Sequence, residues 1–109
     1  MTLASERRAG AERMQLADRD KLIVATMGDG SYMFANPVAC HQIAEAMELP
    51  ILVLVLNNTE WAAVRHSVAG LYPNGYAARA NRMPLTSLQP SPDFVKVAEA
   101  SRAWAVKVD

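Results

Sequence analysis

The sequence is poor in several things, and each scarcity excludes a class of protein. A single cysteine, Cys40, in 109 residues leaves no internal disulfide and suits a reducing compartment. Neither sign of charge is in excess: eleven Lys and Arg stand against eleven Asp and Glu. No electrostatic case therefore arises for nucleic acid or for an anionic membrane surface. The longest apolar run, Ile51 to Leu56, falls far short of the ~18 residues of a membrane span. The first ten residues carry Glu6, Arg7 and Arg8 and lack the apolar stretch of a secretory leader. Aromatic residues make up 6% against a hydrophobic content of 51%, so the expected core is aliphatic and Ala-rich. A soluble, cytoplasmic protein of one small domain is expected, burying roughly two-thirds of its unfolded surface.

What is present is an alternation of apolar runs with helical patterns. Residues 1–15 form an uncertain helix or frayed segment; a helix over about Ala4 to Ala17 would set Leu3, Arg7, Gly10 and Met14 on one stripe, a poor apolar face. Leu22 to Met27 reads as a strand apolar on both faces, the mark of a parallel strand covered by helices on both sides. Asn36-Pro37 predicts a helix start, with Asn as N-cap and Pro at N1. That helix should run to about Glu48, with Val38, Ile43, Ala46 and Met47 toward the sheet and His41, Gln42, Glu45 and Glu48 outward. Ile51 to Leu56 is a second strand, which makes a βαβ unit with a right-handed crossover. A short helix over about Glu60 to Ala69 follows. The stretch from Gly70 to Pro92 holds four prolines and two glycines and reads as a long loop. A last helix begins at Ser91-Pro92-Asp93 and runs to about Arg102, and Trp104 to Val108 reads as one more strand.

Each strand ends in a polar corner. Gly28-Asp29-Gly30-Ser31 follows the first, and Asn57-Asn58 follows the second, with 26 residues from Ser31 through Leu56. Alone, a Gly-Asp-Gly corner is most often a turn, with glycine supplying positive φ and Asp local hydrogen bonds. Together the two corners say more. Successive parallel strands end at the same sheet edge, and ligands of open α/β sheets bind beyond their carboxyl ends. One carboxylate and an amide oxygen suit Mg²⁺ or Ca²⁺ rather than zinc. Mg²⁺ held by few protein oxygens completes its shell with water and phosphate oxygens. Glycines at 28 and 30 permit close backbone approach, and Ser31 adds a hydroxyl. These residues ask for Mg²⁺ and a diphosphate.

The pattern resembles the cofactor motif of the thiamine diphosphate enzymes, in which Gly-Asp-Gly precedes, by some two dozen residues, an Asn-Asn that closes an apolar strand. Flanking residues resemble the acetolactate synthase and benzoylformate decarboxylase branch: Ser31-Tyr32-Met33-Phe34, Leu49-Pro50-Ile51, Trp61-Ala62-Ala63-Val64-Arg65 and Pro92-Asp93-Phe94-Val95-Lys96-Val97-Ala98-Glu99-Ala100. The resemblance covers about Leu16 to Asp109 and implies an α/β fold: over residues 16–109, part of a three-layer, Rossmann-like cofactor-binding domain, a parallel sheet with flanking helices. It implies Asp29, the side-chain oxygen of Asn58 and the backbone carbonyl of Glu60 as Mg²⁺ ligands, with Gly28, Gly30 and Ser31 at the diphosphate. The implied activity is 2-oxo-acid decarboxylation or carboligation, in which the cofactor carries the chemistry and the protein orients it. A homo-oligomer is implied as well.

Departures from the pattern bear on activity. The glycine-rich segment that supports the bent cofactor corresponds here to Leu3-Ala4-Ser5-Glu6-Arg7-Arg8, which has no glycine and three charges. The domain whose glutamate activates the cofactor in this family has no counterpart among these residues, so the expectation is a truncated cofactor domain, inactive by itself. Two alternatives stand beside it: a non-catalytic fragment that keeps the fold and self-associates, and another Mg²⁺-phosphate binder. Of the remaining residues, Tyr32, Met33 and Phe34 could line the pocket or pack the helix start. Cys40 is expected in the core, and His41 and His66 at the surface or in hydrogen bonds. Trp61 is expected to pack near the site, Arg65 to be a solvated charge, and the long loop to be mobile.

Overall fold

A computed structural model describes residues 3–109, with side chains from Gly10 onward. Met1 and Thr2, and the stripe expected of Leu3 and Arg7, lie outside what it describes. The elements run α1 (Leu3–Ala17), β1 (Ile23–Gly28), α2 (Asp29–Phe34), α3 (Pro37–Ala46), β2 (Ile51–Leu56), α4 (Ala62–Leu71), α5 (Tyr76–Arg79) and α6 (Phe94–Glu99). The two strands pair in parallel, in a register that runs from Ile23 opposite Ile51 to Gly28 opposite Leu56. This is the expected α/β arrangement, a parallel sheet with flanking helices. No described helix is long and apolar enough to cross a membrane.

Helices cover one face of the sheet. Alternation along β1 buries Ile23, Ala25 and Met27, and these join Ala11 of α1 and Tyr32 of α2 in the core. Ile51, Val53 and Val55 of β2, with Phe94 and Val97 of α6, pack against that cluster. The opposite face carries Leu22, Val24, Leu52, Leu54 and Leu56, all substantially exposed. Covering on both sides, the expectation from the continuous apolar runs, is not seen among the described residues. A run apolar on both faces records that both faces are meant for burial, and it is silent on which segment does the burying.

Local expectations fail at two places, α3 and the C-terminus. In α3 it is His41 that is buried, while Val38, Ile43 and Met47 are exposed. The helix turns on its axis because Tyr32, 2% exposed, needs a partner for its hydroxyl. His41 Nε2 supplies one at 2.7 Å, and a buried polar pair left unjoined would cost about 1–3 kcal/mol. Tyr32 also meets Phe94 edge to face, with centroids 5.4 Å apart, a favoured aromatic geometry. Asn36 precedes Pro37 as expected but sits at φ 52° and makes no side-chain cap. The second failure is the C-terminus. Residues 103–109 form no strand, and Trp104 is 84% exposed. Alternating side chains prepare a segment to be a strand, but only a partner's backbone makes it one.

Elsewhere the local chemistry holds. Asp93 caps α6 by accepting a hydrogen bond from the Lys96 amide at 3.1 Å. That bond, with the adjacent Lys96 ammonium, holds the Asp93 carboxyl below the usual carboxylate range. α1 is present from Leu3 and buries Ala11 and Gln15 against β1, while Met14 is turned out to solvent.

Candidate functional site

The register carries the first result. Gly28 pairs with Leu56, so Asp29 and Asn57 each follow the last paired residue, side by side at the carboxyl end of the sheet. Asp29 is the first residue of α2 and is 2% exposed. Its Oδ2 is buried and has no hydrogen-bond partner among the described residues. A buried carboxylate oxygen without a donor is costly, and a cation is one thing that would relieve it.

Neither glycine of the corner takes a positive φ. The turn reading of Gly-Asp-Gly thus gives way: Gly28 is extended (φ −75°, ψ 161°) and leads directly into the helix. Gly30 is needed for a different reason. A Cβ placed there would lie 2.6 Å from Cε3 of Trp61, so the indole rests on bare backbone. Trp61 is therefore a packing residue at the site, as expected. Ser31, the third residue of α2, is half-buried.

The second corner is built from asparagine side chains. Asn57 Oδ1 accepts from the Thr59 amide at 3.0 Å, and Asn58 Oδ1 accepts from the Glu60 amide at 3.1 Å. These are two overlapping Asx turns. An amide oxygen has two lone pairs, so Asn58 Oδ1 keeps one for a cation. Between the two turns Thr59 sits at φ 58°, a left-handed conformation rare for a β-branched residue and costing of order 1–3 kcal/mol. The surroundings hold it there. Leu88 N–H donates to the Thr59 carbonyl at 2.8 Å, and Gln89 Nε2 donates to Thr59 Oγ1 at 3.2 Å.

The 86–91 segment is thus part of the site. Trp61 N–H donates to the Thr86 carbonyl at 2.7 Å, and Asn57 Nδ2 donates to Ser91 Oγ at 3.1 Å. Glu60 forms an antiparallel bridge with Ser87. Its ladder bonds fall on Thr59 and Trp61, so Glu60 and Ser87 are the non-hydrogen-bonded pair. In that geometry the Glu60 carbonyl is directed away from the 86–88 segment. Arg65, expected as a solvated charge, instead donates from one guanidinium nitrogen to Glu60 Oε1 at 2.8 Å and from another to Asn81 Oδ1. The stretch expected as a mobile loop contains α5 and is hydrogen-bonded to the corner at several points.

The structure thus gathers Gly28, Asp29, Gly30 and Ser31 on one strand end, and Asn58 and Glu60 on the neighbouring one. Met33 and Phe34 are turned outward, and Tyr32 lies in the core. His66 is exposed, and Cys40 is half-buried with its thiol donating to the Ala35 carbonyl at 3.3 Å. Among the described residues no three His, Cys, Asp or Glu side chains cluster as a metal site; apart from the Glu60 carboxylate paired with Arg65, the oxygens this corner offers are the Asp29 carboxylate, the Asn58 amide oxygen and the Glu60 carbonyl. Reading the sequence missed the Arg65–Glu60 pair, whose spacing of five is no helical neighbour relation, and the strain at Thr59, which no residue type advertises.

Comparison with known proteins gives this geometry a family. The model of the thiamine pyrophosphate enzyme C-terminal TPP binding domain matches residues 9–109. The chain belongs to this family. No curated protein sequence matches it. Among solved structures it is similar to a thiamine diphosphate-dependent 4-hydroxybenzoylformate decarboxylase of Rhodococcus jostii RHA1, with a TM-score of 0.72 and 24% identity over 90% of this chain. At that identity the likeness speaks to the fold. The chain spans 17% of the length of that decarboxylase. Open α/β sheets bind ligands beyond the carboxyl ends of their strands, and both corners lie at that edge.

Proposed function

We propose that this TPP binding domain holds thiamine diphosphate through Mg²⁺ and serves a 2-oxo-acid decarboxylase or acetolactate-synthase-like enzyme. In this reading Asp29, Asn58 Oδ1 and the Glu60 carbonyl ligate the cation, and the backbone at Gly28 and Gly30 with the Ser31 hydroxyl contacts the diphosphate. The observation that carries it is Asp29 Oδ2, buried at the sheet end and without a donor among the described residues. The donor set fits as well: all three candidate ligands are oxygens, the preference of Mg²⁺. The bound cofactor would supply the carbon nucleophile, and the chain's own residues would fix its diphosphate end and exclude water there. Trp61, lying over Gly30, forms one wall. The decarboxylase similarity supports the substrate class by analogy, and the single cysteine suits a cytoplasmic setting.

A thermal-shift titration tests the reading. At a hundred times its Kd, Mg²⁺-thiamine diphosphate should stabilise the native chain by about 2.7 kcal/mol, and Asp29→Ala should remove that gain while leaving the unliganded fold intact. No shift with the wild-type chain, or the same shift with Asp29→Ala, would overturn it. ATP and NAD in the same titration distinguish a different phosphate ligand. The 109-residue chain by itself is expected to bind without releasing CO₂ from benzoylformate or pyruvate, because the second carboxylate at the corner, that of Glu60, is engaged by Arg65 and is not available to activate the cofactor.

A second reading, self-association, is favoured by the bare sheet face. The chain exposes 7859 Å², against ~5,900 Å² for a compact monomer of its mass. Apolar patches of this kind mark interaction surfaces, and sedimentation would show a homo-oligomer if the bare face is the contact.

A further inference from the structure

The corner contains a carboxylate that the cofactor reading does not use. Glu60 offers its backbone carbonyl toward the proposed cation, yet its side chain is a harder and more strongly charged oxygen donor than any carbonyl. Left free, it could displace the carbonyl as ligand, or stand as a second negative charge beside the diphosphate. Arg65 stands in the way. One of its guanidinium nitrogens donates to Glu60 Oε1 at 2.8 Å, and another donates to Asn81 Oδ1. Asn81 holds a left-handed conformation at φ 47°, which presents its amide to the guanidinium. The pair is only partly exposed, the two side chains retaining 37% and 27% of their accessible area.

We propose that Arg65 is a positioning residue that restrains and neutralises the Glu60 carboxylate, so that cation and diphosphate meet the Glu60 carbonyl alone. The assignment rests on the cofactor reading above. Its physical content is separable from mere bracing of the turn. Trp61 N–H to Thr86 and Leu88 N–H to Thr59 already fix the backbone of Glu60 without any help from Arg65. What Arg65 adds is control of a charge, through a fork that spans two acceptors where Lys would offer a point charge.

A double-mutant cycle on the full 109-residue chain decides it, with Mg²⁺-thiamine diphosphate affinity read by calorimetry and each variant's unliganded fold checked by circular dichroism. Arg65→Gln should weaken binding about tenfold, the scale of one uncompensated charge at a half-exposed site, and the loss should shrink at high salt. Glu60→Gln keeps the backbone carbonyl but leaves the Arg65 charge unpaired, so affinity for the anionic cofactor should rise, by up to about threefold, rather than fall. The double variant Arg65→Gln/Glu60→Gln should recover affinity to within about threefold, because no charge then needs a partner. Arg65→Lys should retain most of the affinity. A double variant as weak as Arg65→Gln, or a loss independent of salt, would make Arg65 a structural brace and overturn the assignment. Wild-type affinity in Arg65→Gln would overturn it as well. If the wild-type chain binds no cofactor, the cofactor reading falls and takes this inference with it, an outcome distinct from the others because Asp29→Ala is then silent too. Should Arg65→Gln fail to fold, Arg65→Met, which keeps a long side chain without the charge, carries the same comparison with and without Glu60→Gln.

Discussion

The two faces of the sheet are made of the same kinds of residue and have opposite fates. Ile23, Ala25 and Met27 are buried beneath α1 and α2, whereas Leu22 and Val24, their neighbours in the chain, lie open, Leu22 at 73% exposure. Along β2 the half-buried Ile51, Val53 and Val55 alternate with the exposed Leu52, Leu54 and Leu56 in the same way. Hydrophobicity therefore does not decide burial at these positions; the presence of a covering element does. The radius of gyration, 16.2 Å, exceeds the ~13 Å of a compact chain of this length, in keeping with a sheet that has one working face and a C-terminal segment lying outside it. The site corner belongs with the covered face. Asp29 leaves β1 into the helix that packs there, and the corner is tied down by backbone and side-chain hydrogen bonds together with the Trp61 ring packed on Gly30.

The largest expected effect sharpens this contrast directly. Met27→Ala on the covered face should destabilise the chain by about 2–5 kcal/mol, while Leu54→Ala on the bare face should cost less than about 1 kcal/mol. Urea unfolding midpoints measure both. Equal losses would break the comparison and show that the bare face is covered in solution. Next in size is Gly30→Ala. Its methyl would meet the Trp61 ring at 2.6 Å, and overpacking of this kind costs about 1–3 kcal/mol. Trp61→Leu in the same chain should restore most of the melting temperature, and failure to do so would place the cause elsewhere. The smallest effect lies at the edge of the fold. Because hydrogen bonds from Lys96 lower the Asp93 pKa, that carboxylate adds stability above the ordinary carboxylate pKa. The contribution disappears as pH falls through the lowered folded value. Asp93→Asn should flatten that part of the acid limb of melting temperature against pH, and an unchanged limb would deny Asp93 its capping role.

Much of the fold was legible in the residues. Strand boundaries fell within one residue at Leu22 to Met27 and coincided at Ile51 to Leu56, because apolar β-branched and leucine runs between polar corners have few other readings. Pro37 started α3 as expected, since its fixed φ suits N1. The turn of α3 about its own axis was not legible. Periodicity grades apolar residues and is blind to a buried hydroxyl that calls for a histidine. For the candidate site, the spacing of Gly28-Asp29-Gly30 and Asn57-Asn58 is enough to draw both corners to one sheet edge. The brace from Thr86, Leu88, Gln89 and Ser91 could not be foreseen, because these bonds join residues some thirty positions apart and a loop rich in proline carries no periodic signal.

The sequence by itself determined the family, the two parallel strands and the polar residues that end them, since these depend on local pattern and on the chain order of one βαβ unit. Only the tertiary structure decided that Asp29 keeps a buried oxygen without a donor among the described residues, that Gly30 is bare because an indole rests on it, and that Arg65 holds Glu60. Each of these is a relation between segments distant in the chain, set by which groups find a partner when the sheet closes against its helices. Local preference proposes the elements, and the need to satisfy buried polar groups fixes how they meet.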